Sequence, residues 1–342
     1  MPERPKVLAA NQHGGGGFFD PTREELEKFG VDLVLRDFSN QEELLKVAQD
    51  VDVLIESSVM YDDNVLSKLP RLKALCARGI GFDRFDVDAA TKHGILVVNL
   101  PRVFHREVAH HTLALWLGLV RKIVPLNRWM HEGTTAEAMR RPRPDNSTPQ
   151  HHIYGETFGI VSLGNIGKVV ASLLAPFELN LIAYDPFVKQ EDADKLNVKM
   201  VGSLNELFEQ ADFVSLHTPL SAATRHMVGY EQFSRMKPGA LFLNNGRGPV
   251  VNEADLIRAL QEGKVAGAGL DVQEIEPPAA DNPLRTMENV ILTPHVASAS
   301  DKARVERARW IGIECGRVLT GKWPQHGLVN KSVKPRFPLS AE

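Results

Sequence analysis

Two successive rounds of strand-and-helix patterning dominate this 342-residue chain. In the first, short apolar runs ("KVLAA", "VDLVL", "VDVLIE", "LKALCA", "ILVVN") alternate with amphipathic segments ("TREELEKFG", "QEELLKVAQ", "NVLSKL", "DVDAATKHG"). Such runs suit strands covered on both faces, so the rhythm predicts a parallel sheet with helices on its faces. It breaks at "NLPR" (99–102), where a hinge is expected, and residues 105–123 read as one long, mostly apolar helix. From Phe158 a second set follows, with strands at "GIVSL", "LNLIAYD", "VKMV", "FVSLH", "ALFLNN", "GAGLD" and "VILTPH". The amphipathic segment 299–319 has no sheet of its own and is expected to return to the first domain. The fold class is therefore α/β, with two Rossmann-like or flavodoxin-like domains: a discontinuous one from 1–103 and 297–342, and a continuous one over 104–296.

Composition narrows the partners. With 43% hydrophobic residues the chain can fill two cores of ordinary size. A net charge of -3, with one short basic knot ("MRRPRP", 139–144), argues against nucleic acid. No window approaches 18 uninterrupted apolar residues and no signal-peptide pattern opens the chain, so a cytoplasmic protein that does not enter membranes is expected. The two cysteines, Cys76 and Cys315, have neither metal-type nor redox-type spacing. The stretch 130–152, polar and proline-bearing, suits an exposed loop or an arm reaching a partner subunit, and "HGGGG" (13–17) a flexible loop directed at a cleft.

"FGIVSLGNIGKVV" (158–170) has the form of a strand turning into a helix through a phosphate-binding loop. Gly164 gives the backbone its approach to a pyrophosphate and Gly167 the close contact of helix and strand; Asn165 and Ile166 supply N–H groups at the helix N-terminus. Ser162 stands where a tight-turn glycine is expected and is compatible with the loop if the position does not demand a positive φ. "LIAYD" places Asp185 at the end of the next strand, where a carboxylate accepts hydrogen bonds from ribose hydroxyls and repels a 2′-phosphate. NAD is thereby favoured over NADP, the alternative for Asp185 being a turn residue before Pro186.

Three later strand ends carry ionisable residues: Arg247 in "NNGRGPVVNE", Glu276 in "LDVQEIEPP" and His295 in "LTPHVAS". These types suit hydride chemistry on a 2-oxo acid. Arginine forms paired bonds to a carboxylate, histidine delivers a proton to the carbonyl oxygen, and a carboxylate behind the histidine fixes its tautomer and raises its pKa. Each taken singly also fits a turn, cap or solvated position.

The segments "ARGIGFDRFDVDAAT", "GILVVNLP", "GNIG", "HTPLSAAT", "MKPGALFLNNGRG", "EADLIRALQEGKVAGAGLDV" and "TPHVA" resemble the NAD-dependent D-2-hydroxyacid dehydrogenases over residues 54–323. The resemblance implies that Arg247, Glu276 and His295 are catalytic, that Ile80, Gly81 and Arg247 bind the substrate acid, and that Gly164, Asn165, Ile166, Gly167, Asp185, Thr218, Pro219, Gly246 and Asp271 contact NAD. It further implies that the discontinuous domain takes the substrate, that 104–296 binds NAD, and that a homodimer forms through the NAD domain. Departures from the family pattern fall at Phe104 and His110. "LIESS" has Glu56 and no arginine nearby, unlike family members that grip phosphorylated acids, which speaks against a phosphorylated substrate. His105, His110 and His111 do not share one helix face, so no metal is expected. A second reading is an NADH-sensing protein of the corepressor branch, with incidental turnover; a third is a relative using phosphite or formate, the formate version opposed by Glu276.

Overall fold

A computed structural model of the chain describes residues 3–11, 17–132, 136, 140 and 150–340. The glycine loop at 13–16 and most of the 130–152 arm lie outside the described residues. Two compact units result, one of residues 1–103 with 300–342, the other of residues 104–299.

The first unit runs β1 (Lys6–Ala10), α1 (Asp20–Lys28), β2 (Asp32–Arg36), α2 (Gln41–Val47), β3 (Val53–Ile55), α3 (Asp63–Leu66), β4 (Ala74–Cys76), α4 (Val87–Lys92) and β5 (Leu96–Val98). All five strands are parallel in the order β2-β1-β3-β4-β5. Helix starts are set locally: the side chains of Asn40, Asp62 and Asp86 each accept a backbone N–H of the following first turn. Along β1 the pleat sends Leu8 and Ala10 into one apolar cluster, with Leu54 and Leu75, and Val7 and Ala9 into another, with Leu26, Ile311 and Cys315.

The second unit opens with α5 (His105–Val120) and α6 (Ile123–His131). Where one helix over 105–123 was expected, the chain breaks at Lys122, whose φ of 53° is left-handed and cannot continue an α-helix. There follow β6 (Thr157–Val161), α7 (Asn165–Leu174), β7 (Asn180–Tyr184), α8 (Gln190–Asp194), β8 (Lys199–Met200), α9 (Leu204–Gln210), β9 (Phe213–Leu216), α10 (Tyr230–Ser234), β10 (Leu241–Asn244), α11 (Glu253–Gln261), β11 (Gly267–Leu270) and β12 (Val290–Leu292). Seven parallel strands take the order β12-β11-β10-β9-β6-β7-β8. Trp116 of α5 is fully buried, edge-on to Phe158, Phe177 and Phe213.

The last helix among the described residues is α12 (Asp301–Leu319), which belongs to the first unit and lies along α1, with the Thr22 hydroxyl donating to Ala308 O at 2.7 Å. The compact second unit runs to residue 299, and near its end the Ala297 N–H is bonded to the buried Asp271 carboxylate at 2.8 Å. Each sheet has one place where strand order reverses, between β1 and β3 in the first and between β6 and β9 in the second. Open α/β sheets bind ligands beyond the strand C-termini at such points.

Candidate active site

At the second reversal point β6 enters α7 through Ser162–Gly164. Gly164 is the N-cap and has no side chain to cap the first turn of the helix, the end at which an anion is favoured. A Cβ on Gly164 would meet nothing within 4 Å, so the space beside the N-cap is open. At Gly167 a Cβ would stand 2.3 Å from Ser162 O, so only glycine allows the helix this close to the loop. These features fit a dinucleotide pyrophosphate.

Ser162 departs from expectation. Its φ is 74°, so the tight-turn position does demand the left-handed conformation that glycine adopts freely and serine does not. The residue is held there by its N–H on Tyr184 O at 2.9 Å and by a 2.9 Å bond between its hydroxyl and that of Thr218. Thr218 is buried after β9, so the two loops flanking the reversal point are tied through their hydroxyls. Pro219 follows, its carbonyl accepting from Thr224 at 2.7 Å. Asp185, past the end of β7, accepts Leu163 N–H at 3.0 Å on one oxygen and Phe187 N–H at 2.9 Å on the other. Each oxygen keeps a lone pair, so the carboxylate can shape the loop and still receive ribose hydroxyls.

Arg247, Glu276 and His295 meet in the second unit, past the ends of β10, β11 and β12. The His295 Nδ1 and Glu276 Oε2 are 2.8 Å apart. That bond raises the His295 pKa above the usual histidine value, against the opposing effects of burial and of the Arg247 charge. Burial pushes the Glu276 carboxyl up; the His295 bond and charge, the Gln273 N–H and Arg247 outweigh it and hold the carboxyl below its usual range. Arg247 is fixed by its side chain on Gly246 O at 2.8 Å and by Asn244, which donates to Arg247 O at 3.1 Å and accepts from Gly246 N–H at 3.0 Å. At Gly248 a Cβ would lie 1.7 Å from Gln273 O, so glycine lets the Arg247 loop press against the backbone that leads to Glu276.

His295 itself has φ 53°, an uncommon conformation for a non-glycine residue and one frequent at reactive sites. Asp271 imposes it. The His295 N–H donates to Asp271 O at 2.8 Å, and the Asp271 carboxylate, 1% exposed, accepts from Val296 N–H (2.9 Å), Ala297 N–H (2.8 Å) and the Thr293 hydroxyl (2.6 Å). Thr293 in turn is 2.9 Å from His111 Nε2. Asp271, expected only as a cofactor contact, is thus engaged with the loop carrying His295, and His111 and Thr293 enter as supports that no sequence motif marked. His110 is exposed and Phe104 is buried at the start of α5.

In the first unit, Ile80 and Gly81 follow β4 in a loop held by Leu100 N–H on Gly79 O (2.8 Å) and by Asn99 Nδ2 on Ile80 O (2.7 Å). The expectation of no arginine near Glu56 is overturned. Glu56 Oε2 accepts Arg78 N–H at 3.0 Å, the Arg78 charge acts on Arg307, and both arginines feel the Glu56 charge. These arginines come from past the end of β4 and from α12, beyond the reach of a reading confined to β3.

Residues 113–297 match the family model described as D-isomer specific 2-hydroxyacid dehydrogenase, NAD binding domain. D-3-phosphoglycerate dehydrogenase of Methanocaldococcus jannaschii is 37% identical over 325 residues, which are 94% of this chain and 60% of that protein. Glyoxylate reductase of Korarchaeum cryptofilum is 36% identical over 86% of this chain and 88% of its own length. Among solved structures, the holo form of D-mandelate dehydrogenase from Rhodotorula graminis superposes with a TM-score of 0.84 at 26% identity, covering 98% of this chain and all of that one. Nothing in these relatives favours the corepressor reading. With an NAD binding domain model matched over more than half of the chain and a relative 36% identical over 88% of its own length, the chain belongs to the D-isomer specific 2-hydroxyacid dehydrogenase family.

Proposed function

We propose that the protein reduces a small 2-oxo acid to the D-2-hydroxy acid with NADH, and runs the reverse reaction with NAD. The observation carrying this reading is the His295–Glu276 pair at 2.8 Å beside Arg247, past the strand ends of the unit that holds the dinucleotide cradle. Bound NADH supplies the hydride. His295 donates the proton to the oxygen that becomes the hydroxyl, and Glu276 holds the imidazole by Nδ1, which presents Nε2 to the substrate. The planar guanidinium of Arg247 grips the substrate carboxylate and polarises the carbonyl. In the first unit the substrate contacts proposed are the amides of Ile80 and Gly81. NAD contacts proposed are Gly164, Asn165, Ile166, Gly167, Asp185, Thr218, Pro219 and Gly246, with Asp271 added through its place behind His295. Asp185 favours NADH over NADPH. In this reading residues 104–296 form the NAD domain, and 1–103 with 297–342 the substrate domain.

His295→Asn keeps a hydrogen-bonding side chain and loses the proton. NADH binding, followed by fluorescence titration, is expected to stay near wild type, while reduction of the best 2-oxo acid slows by at least about a hundredfold. Equal turnover would remove His295 from the mechanism.

The dimer belongs to the same reading, as does a cytoplasmic location. α6 buries none of its residues and exposes Ile123 (56%), Val124 (40%) and Met130 (52%). Beside it an apolar cleft of about 460 Å³ is lined by Leu115, Leu117, Gly118 and Ile291. Exposed apolar patches of this kind mark association surfaces, and a second copy of the chain is the proposed occupant. No helix among the described residues is long and apolar enough to cross a membrane.

A further inference from the structure

A backbone state as uncommon as that of His295 persists only where its surroundings over-determine it. Here the determinant is a chain of donors that begins on another element. The Thr293 hydroxyl gives its hydrogen to Asp271 Oδ1 at 2.6 Å, on the same oxygen that accepts Val296 N–H. That hydroxyl then has no hydrogen left to give, so in the 2.9 Å bond between Thr293 Oγ1 and His111 Nε2 the imidazole is the donor. His111 therefore carries a proton on Nε2, and the same nitrogen stands 3.6 Å from Asp271 Oδ1, where its N–H adds to the field that favours the carboxylate.

Helix α5 holds that imidazole in place. Leu115 stands one turn after His111 on the same face, and a Cβ on Gly269 of β11 would come within 3.0 Å of the Leu115 Cβ, so glycine lets the helix lie hard against the sheet. His111 there meets Thr293, the first residue after β12, while Asp271 is the first after β11. Resting on the dehydrogenase reading, we propose that His111 is a positioning residue for the proton donor: its Nε2–H turns the Thr293 hydroxyl onto Asp271, and Asp271 holds the 295–297 backbone so that the His295 ring meets Glu276 through Nδ1 and the substrate through Nε2. In this role His111 touches neither substrate nor cofactor and acts through the loop alone.

The test follows a single turnover, mixing enzyme and NADH with the best 2-oxo acid in a stopped-flow spectrometer over a range of acid concentrations. His111→Leu removes the donor and keeps the bulk; it is expected to slow hydride transfer by about tenfold, the range of one hydrogen bond to a buried network. The half-saturating acid concentration and the NADH affinity are expected to stay within about twofold of wild type, because the groups assigned to binding are untouched. His111→Gln sets an amide N–H close to the place of Nε2 and is expected to recover most of the lost rate. In a His295→Asn background His111→Leu is expected to change the rate by less than about twofold, since its route to the reaction runs through His295. No slowing, equal slowing in both backgrounds, or a loss confined to the saturation constants overturns the proposal. Nitrogen NMR of isotope-labelled wild type supplies a measurement that depends on no variant folding: the His111 Nε2 is expected to carry a proton, and a bare Nε2 overturns the proposal. Should wild type reduce no acid at all, the dehydrogenase reading fails and the positioning is judged from the His295 ring resonances. A shift in His111→Leu that His111→Gln reverses sustains it; resonances unmoved in both variants remove it.

Discussion

Ser162 and His295 are both held at positive φ, and the two cases divide by what the side chain gives in return. At Ser162 the left-handed conformation costs about 1 kcal/mol or more, and the hydroxyl recovers a similar amount through Thr218. Ser162→Gly removes both terms and is expected to shift stability by less than about 1 kcal/mol, whereas Ser162→Ala keeps the strain, loses the bond and costs about 1–2 kcal/mol. Thermal denaturation should rank alanine clearly below glycine; the reverse order would show that the turn is not strained. At His295 the return is chemical. Because the Glu276 bond raises the His295 pKa, the protonated imidazole persists above the usual histidine range, and kcat/KM for 2-oxo acid reduction is expected to fall only as pH rises through that raised value. In Glu276→Gln the supporting charge is gone, so the same fall should begin at lower pH. A pH–rate profile unmoved by the substitution would exclude Glu276 as the cause. Residue types were legible in the sequence at these positions, since Arg247, Glu276 and His295 each end a recognisable strand. Their backbone states were not: the positive φ at Ser162 occurs in a loop whose carbonyl packs closely on Gly167, a property of three dimensions.

Among the elements, every strand of both sheets coincides with an apolar run read from the sequence, because four or five consecutive apolar residues bounded by turns have few other ways to be buried. Helix boundaries were less legible. The Lys122 break separates α5, which buries Leu115, Trp116 and Val120, from α6, which buries nothing, and a purely apolar count does not distinguish a face turned to its own core from one turned outward. The double substitution Ile123→Asp and Val124→Asp places two charges on the exposed face of α6. If this face joins two copies, light scattering should show the dimer replaced by monomer with the fold retained; an unchanged dimer would move the interface elsewhere. Side chains drawn from distant elements were the least legible of all. Arg307 and Glu56 are 251 positions apart and share no motif, and only the packing of α12 in the first unit brings their charges together.

At the scale of the whole molecule the chain leaves the first unit at residue 103 and re-enters it at 300, while the second unit is continuous. Residues 104–299, expressed alone, are therefore expected to fold and to bind NADH, with a cooperative thermal transition raised by the ligand; an insoluble or non-binding fragment would show that the unit depends on the rest of the chain. The same topology imposes an order on synthesis. α1 rests on α12 through contacts so close that a Cβ on Gly312 would come within 2.7 Å of Thr22 O and one on Gly316 within 2.2 Å of the Phe29 ring. During translation at ~5–20 residues per second, α1 emerges and then waits for roughly 270 further residues, on the order of 14–55 s, before that partner exists. Through that interval one face of the first sheet lacks the cover that α12 will give it, so the nascent chain offers chaperones a defined apolar surface, and a ribosome that stalls late in the message releases a product with one finished half and one open one.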